Sequence, residues 1–218
     1  MDLKNKKMKL IVDKGSNGLT TKEFTEYLKT PVLKSEITQQ EADELRKQLE
    51  QGLSEYPGLG ISATQLGIKK RACLIKFGEE ELFLLNPIVK EKSKDGFLFM
   101  EGCLSIPSSI TKPTRTIRAC KVVIDTDNLG ELTFEINPDG DKQNEQISKE
   151  TMMTVIVQHE IDHLDGFTIK DRVYNTQVVK KVNYGRNDKI VMKSKEGEMV
   201  EVKYKNANKY FLQGYEIV

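Results

Sequence analysis

The chain has 218 residues, 38% hydrophobic and 31% charged, and 34 Lys+Arg against 33 Asp+Glu leave a net charge of +1. That length buries a core without covalent staples and suits one domain with an appendage, while the near-neutral balance excludes nucleic-acid binding by bulk charge. Cys73, Cys103 and Cys120 are an odd set without paired spacing, which argues against a disulfide framework and for a reducing compartment.

Residues 8–13 read as a short edge strand, and 20–29 as a short helix around Phe24, Tyr27 and Leu28. Thr38-Gln39-Gln40-Glu41 is a capping box, with threonine at the N-cap and glutamate at N3. Ala42, Leu45 and Leu49 follow at helical spacing and predict an amphipathic helix over 39–54, with Gly52 obscuring its end. The glycine-rich stretch 56–67 reads as a loop. β-like runs follow at 71–77, 81–89 and 117–126, and 129–136 continues in that style, punctuated by Pro57, Pro87, Pro107 and Pro113. The polar stretch 137–149, with Pro138-Asp139-Gly140 as a turn, reads as an exposed loop.

Ser148 is the expected N-cap of a second long helix with Met152, Val155, Ile156, Ile161 and Leu164 on its apolar face and Gly166 at its C-cap. Farther on, 183–188 is turn-like. The runs 190–192 and 199–204 flank the hairpin signal Lys195-Glu196-Gly197-Glu198, and 210–218 supplies a third strand. The expected fold is α+β: mostly antiparallel sheets around a central metal-binding helix, with an appended C-terminal β-meander. No apolar run is long enough to span a membrane, and residues 1–9 lack the apolar core of a signal peptide, so the expectation is a cytoplasmic protein.

The only two histidines, His159 and His163, stand four residues apart in Gln158-His159-Glu160-Ile161-Asp162-His163. On a helix that spacing puts both imidazoles on one face, where they can share a divalent metal. Glu160 lies beside the first ligand, placed to act as general base toward a metal-activated water. A solvated helix that happens to carry two histidines is the bland reading, and a chain this poor in histidine disfavours it.

A catalytic metal keeps three protein ligands and one open position. A third histidine at the spacing x-x-G-x-x-H is excluded, because Ile169 stands there. Glu196, Glu198, Glu201 and Glu216 lie in the β-like tail, the wrong context for a ligand from a later helix. Cys73 and Cys120 occupy strand-like settings in which a buried inert thiol is the common outcome. Cys103 is flanked by Gly102 and precedes Pro107, and glycine permits the close backbone approach that a site needs. Cys103, His159 and His163 make a sound tetrahedral set with one position left for water.

At this point the chain resembles the peptide deformylase family in three motifs taken in order. The first, G-x-G-x-A-A-x-Q, stands as Gly58-Leu59-Gly60-Ile61-Ser62-Ala63-Thr64-Gln65, with Ser62 in place of the first alanine. E-G-C-L-S stands intact as Glu101 to Ser105, and Q-H-E-x-D-H-L intact as Gln158 to Leu164. The resemblance covers roughly 30–175, including Thr30-Pro31-Val32-Leu33. It implies 1–29 as an N-terminal extension, 30–183 as the metal-dependent catalytic domain and 187–218 as a β-rich extension without a family counterpart. The stretch 137–149 is longer than the family's usual connection.

The resemblance implies removal of the formyl group from the N-terminal formyl-methionine of new polypeptides. It implies Glu160 as proton carrier, and the Gln65 side chain and Leu104 backbone N–H as oxyanion donors. It implies Fe²⁺ as the physiological metal, with Zn²⁺, Ni²⁺ or Co²⁺ able to occupy the site. Leu59, Gly60, Met152, Val155 and Ile156 are candidate substrate-binding residues, Gly60 by leaving room for substrate backbone; ordinary core packing is the competing reading for the helix residues. Arg115 is a candidate to pair with Glu101 behind the metal loop, with a solvated surface arginine as the competing reading. Two other functions compete: a metallopeptidase cleaving internal bonds, and a non-catalytic metal-binding module. The lysine- and tyrosine-rich tail reads as a solvated β-surface, with binding to ribosome or nucleic acid as the alternative.

Overall fold

The computed structural model of the chain describes residues 7–13, 21–137, 147–174, 186–187, 189–194, 198–207, 210 and 215–217. The chain divides into two compact units, residues 1–174 and 175–218. In the first unit, α1 (Lys22–Leu28) begins at Thr21, whose hydroxyl accepts from the Phe24 N–H at 3.1 Å. α2 (Gln39–Glu55) opens on the capping box formed by Thr38 and Glu41, and it runs through Gly52. Gly52 is where α2 meets its sheet: a Cβ there would lie 2.8 Å from the Leu66 side chain.

Three short antiparallel strands follow, β1 (Gly60–Ser62), β2 (Ala72–Phe77) and β3 (Glu80–Leu85), in the order β1-β2-β3. The stretch read as a loop over 56–67 therefore contains an edge strand, followed by a 3₁₀ turn over Ala63–Leu66. Strand β2 is apolar on both faces, and the period-2 alternation sorts its side chains. Ala72 and Leu74 face a cluster with Leu45, Leu49 and Leu53 of α2, while Cys73 and Ile75 face the opposite cluster.

The run expected over 81–89 breaks at Asn86, a buried residue in the left-handed region (φ 49°). Its side-chain amide donates to the Ser35 carbonyl and the Asp127 carboxylate, each at 2.7 Å. Strand β4 (Ile88–Lys92) then joins a second sheet, β4-β7-β8, with β7 (Lys121–Thr126) and β8 (Gly130–Glu135). A two-stranded ribbon, β5 (Gly96–Glu101) with β6 (Thr114–Ala119), flanks the one-turn helix α3 (Ser108–Thr111). The single run expected over 117–126 is thus two strands in different sheets. Strand β5 escaped the pattern reading because its apolar residues, Phe97 to Met100, occupy both faces and show no alternation.

The second long helix, α4 (Lys149–Leu164), starts at Ser148, which accepts from the Thr151 N–H at 3.2 Å. Twelve of its 16 residues are buried, so it is enclosed all round rather than laid on a surface. Met153, Ile156, Val157, Ile161 and Leu164 fill the space between the two sheets, against Ile75 and Leu84 on one side and Val122 and Ile124 on the other. Burial of each such side chain contributes about 1.5–3 kcal/mol. The helix ends at Gly166 (φ 78°), and the buried Arg71 guanidinium donates to the Leu164 carbonyl at 3.2 Å and pairs with Asp165 at 2.7 Å.

No strand forms over 8–13. The segment instead makes isolated bonds: the Ile11 N–H to the Gln65 carbonyl and the Asp13 N–H to the Ser105 carbonyl, both 2.7 Å. Those acceptors belong to a 3₁₀ turn and a loop, so there is no partner strand with which to form a ladder. Ile11, Phe24 and Leu28 pack with Cys103, Ile106 and Ile169 in one cluster. Of the polar stretch 137–149, residues 138–146 lie outside the described residues.

The second unit carries β9 (Lys189–Lys193), β10 (Met199–Lys203) and β11 (Glu216–Ile217) in the order β10-β9-β11. The third strand pairs with the first, not with the second as in a meander. Ile190, Met192 and Ala207 are its buried core. Residues 195–197 of the hairpin signal lie outside the described residues. No helix among the described residues is long and apolar enough to cross a membrane.

Candidate metal centre

Helix α4 presents His159 and His163 one turn apart, with ring centroids 4.9 Å apart and planes at 83°. The loop after β5 brings Cys103 to them, its Sγ 3.3 Å from His163 Nε2. The sulfur and the two ring nitrogens all lie within 4.8 Å of one another. Two bonds shape the loop: the Cys103 N–H donates to Ser109 Oγ at 2.8 Å, and the Ser109 hydroxyl donates to the Ile106 carbonyl at 2.7 Å. Cys73 is buried in β2 and Cys120 sits where β6 meets β7; neither belongs to this donor set.

The chemistry of the donor set fits a cation. Burial raises the Cys103 thiol, but His163 and His159 draw it down to about 5, so it favours the thiolate. Burial likewise pushes the Glu160 carboxyl up, to about 7. Among the described residues, Glu160 Oε2 and His163 Nδ1 are buried without a hydrogen-bond partner. Such atoms are costly unless the working site gives them something to bind.

His159 Nδ1 lies 2.7 Å from Glu101 Oε2, which leaves Nε2 for a metal and fixes the ring's orientation. Glu101 is held in turn by both forks of Arg118, Nε to Oε1 at 2.6 Å and Nη2 to Oε2 at 2.8 Å, and by the Thr116 hydroxyl. Burial opposes ionisation of Glu101, yet the His159 and Arg118 bonds outweigh it and hold the carboxyl well below the usual range. Arg118 also pairs with Asp162, which accepts from Arg172 at 2.6 and 3.0 Å.

The partner of Glu101 is therefore Arg118, not Arg115. Strand parity decides this. Glu101 pairs with Thr114 in the β5–β6 register, so Thr116 and Arg118 share its buried face. Arg115 opposes Met100 on the exposed face, its guanidinium 5.6 Å from the Tyr174 ring centroid.

A cavity of about 290 Å³ opens onto the site. Leu59, Gly60, Gln65, Leu104, Met152, Val155 and Ile156 all line it, together with Cys103, His159 and Glu160. Pro57, Phe99, Met100 and Ile110 also line it, and the sequence did not assign them to the site. Adjacency to the first two motifs, which begin at Gly58 and Glu101, was the only available signal for Pro57 and Met100. At Gly60 the room is taken by the protein itself: a Cβ there would lie 2.6 Å from Glu160 Oε1. Gln65 is buried and oriented by β1, its Oε1 accepting from the Ser62 N–H at 2.9 Å and its Nε2 donating to Ser105 Oγ at 3.2 Å.

The chain matches the model of the polypeptide deformylase family over residues 22–179. It is 35% identical over 119 residues to a peptide deformylase from Natranaerobius thermophilus, covering 54% of this chain and 67% of the relative. A peptide deformylase from Dictyoglomus thermophilum is 30% identical over 145 residues, covering 66% of this chain and 85% of that one. Among solved structures it resembles a Met-Ala-Ser-bound class I type b peptide deformylase from Acinetobacter baumannii, with TM-score 0.54 and 25% identity over 67% of this chain and 93% of that chain. A peptide deformylase from Thermotoga maritima shares the fold at TM-score 0.57 and 19% identity, over 78% of this chain and 99% of that one.

Proposed function

The chain belongs to the polypeptide deformylase family, and from that premise we propose how its own residues remove the formyl group from the N-terminal formyl-methionine of newly made polypeptides. The observation that carries the reading is a buried, unpartnered Glu160 carboxylate oxygen beside a Cys–His–His donor set at an apolar cavity. Cys103, His159 and His163 hold one divalent metal, which when bound polarises the reacting oxygens and water. Fe²⁺ is our assignment, as the divalent metal that the family resemblance implies for a thiolate-and-imidazole site; affinity order alone favours other metals.

Glu160 takes a proton from the attacking water as its oxygen bonds to the formyl carbon. The same carboxyl then delivers the proton to the amine as the C–N bond breaks and formate leaves. Ser62 occupies the Gln65 carbonyl oxygen, which turns the amide NH₂ toward Ser105 and leaves its second hydrogen for the developing oxyanion. The Leu104 N–H is the second donor. Leu59, Met152, Val155 and Ile156 receive the methionine side chain, and emergence of substrate from protein synthesis places the enzyme in the cytoplasm. The test is anaerobic purification, metal analysis and formate release from formyl-Met-Ala-Ser. Iron-dependent formate release supports the reading, and internal cleavage of the peptide without formate would replace it with a peptidase.

A further inference from the structure

We propose that residues Ile11 and Asp13 are positioning residues: they strap the turn that carries Gln65 to the loop that carries Leu104, and so set the spacing of the two oxyanion donors. The inference rests on the deformylase reading above. The two donors sit on elements 39 residues apart in the chain. The direct side-chain bond between these elements is Gln65 Nε2 to Ser105 Oγ, at a long 3.2 Å. Behind them, alternate N–H groups of one short segment reach both: Ile11 to the Gln65 carbonyl and Asp13 to the Ser105 carbonyl, each at 2.7 Å. Two residues span at most about 7 Å, so the segment caps the distance between those carbonyls.

The segment is itself anchored at three points. At its start the Met8 N–H donates to Glu55 at 2.7 Å, and its carbonyl accepts from the Tyr56 hydroxyl at 2.7 Å, both at the end of α2. In the middle, Ile11 is 3% exposed and packs in the cluster that contains Cys103. Its Cδ1 lies 3.6 Å from where a Cβ on Gly67 would be, directly after the Gln65 turn. At its end the Asp13 carboxylate pairs with Lys170, just beyond α4. None of these residues belongs to the three motifs, and none touches the reacting atoms. Their contribution would be exerted when charge develops on the formyl oxygen, not when substrate binds.

The experiment compares Ile11→Pro and Asp13→Pro, which each delete one strap N–H, with Met8→Pro, which deletes the N–H bond to Glu55 and keeps the carbonyl's bond from Tyr56. All are tested as metal-loaded full chains on formyl-Met-Ala-Ser. The expected result is a fall in kcat of about tenfold for Ile11→Pro and Asp13→Pro, with metal content and KM within about twofold of the parent, and little change in kcat for Met8→Pro. Adding Gln65→Ala to Ile11→Pro should cost much less than Gln65→Ala alone, since the donor is already misplaced. Lys170→Met keeps every backbone bond and answers if a proline variant fails to fold; its kcat should fall about threefold, the scale of one exposed ion pair. Unchanged kcat in the folded strap variants, an equal loss in Met8→Pro, or additive Gln65→Ala effects would overturn the strap. A parent enzyme that released no formate would overturn the function and the strap together.

Discussion

Glu160 and Cys103 border the same cavity, yet their loss should read out differently. Glu160→Gln keeps shape and the candidate ligands but removes the proposed proton carrier, so metal content should hold while turnover falls by at least about 10²-fold. Loss of the metal or of the fold in that variant would make Glu160 a structural residue. Cys103→Ala should abolish tight metal binding and turnover together. Cys73→Ala and Cys120→Ala should leave metal content nearly unchanged, because neither thiol lies in the donor set. A Cys103 variant with full metal occupancy would remove it from the ligand set. Gly60→Ala is a sharper probe of local space. The added Cβ would meet Glu160 Oε1 at 2.6 Å, and the carboxylate must swing away. We expect a folded, metal-loaded enzyme with kcat reduced by roughly tenfold or more; parent-like kcat would show that Glu160 works equally well from another rotamer.

At the scale of elements, the ribbon β5–β6 and helix α4 are locked by one ionic chain, His159–Glu101–Arg118–Asp162–Arg172, buried at its three central members. Removing its centre is far more costly than the pair's net value suggests, because two buried carboxylates lose a buried guanidinium at once, Glu101 keeping His159 and Thr116 and Asp162 keeping the half-exposed Arg172. Arg118→Met should therefore lose about 3–5 kcal/mol in urea unfolding and about 10–100-fold in metal affinity, through the freed His159 ring. Arg115→Met, on the exposed face of the same strand, should change neither by more than about 0.5 kcal/mol. Equal effects of the two substitutions would contradict the parity assignment.

For the whole molecule, the first unit holds the candidate metal donors, Glu160, Gln65 and both long helices, and has its own cores around α2 and α4. The second unit has a separate small core around Met192. We therefore propose that a chain ending at Gly185 stays folded and deformylates short formyl-Met peptides at near-parental rate. Metal content, thermal midpoint and turnover of the truncated and full chains provide the comparison. A soluble truncated chain that has lost its metal or its turnover would mean that the tail completes the site.

The sequence by itself determined the elements whose signals are local. The Thr38 capping box, the Ser148 N-cap and the i, i+4 histidine pair each depend on residues within one or two helical turns, and each stands where expected. The glycine-flanked Cys103 could be chosen among three cysteines because backbone approach depends on its immediate neighbours. Only tertiary structure decided the rest. Strand pairing made β1 out of an apparent loop and split two apparent runs at Asn86 and Cys120, since a strand exists only when a distant partner supplies its hydrogen bonds. Register chose Arg118 over Arg115, a difference of face that depends on which residue of β5 lies opposite. The contact of Gly60 with Glu160 joins residues 100 positions apart, and no local pattern encodes such a distance.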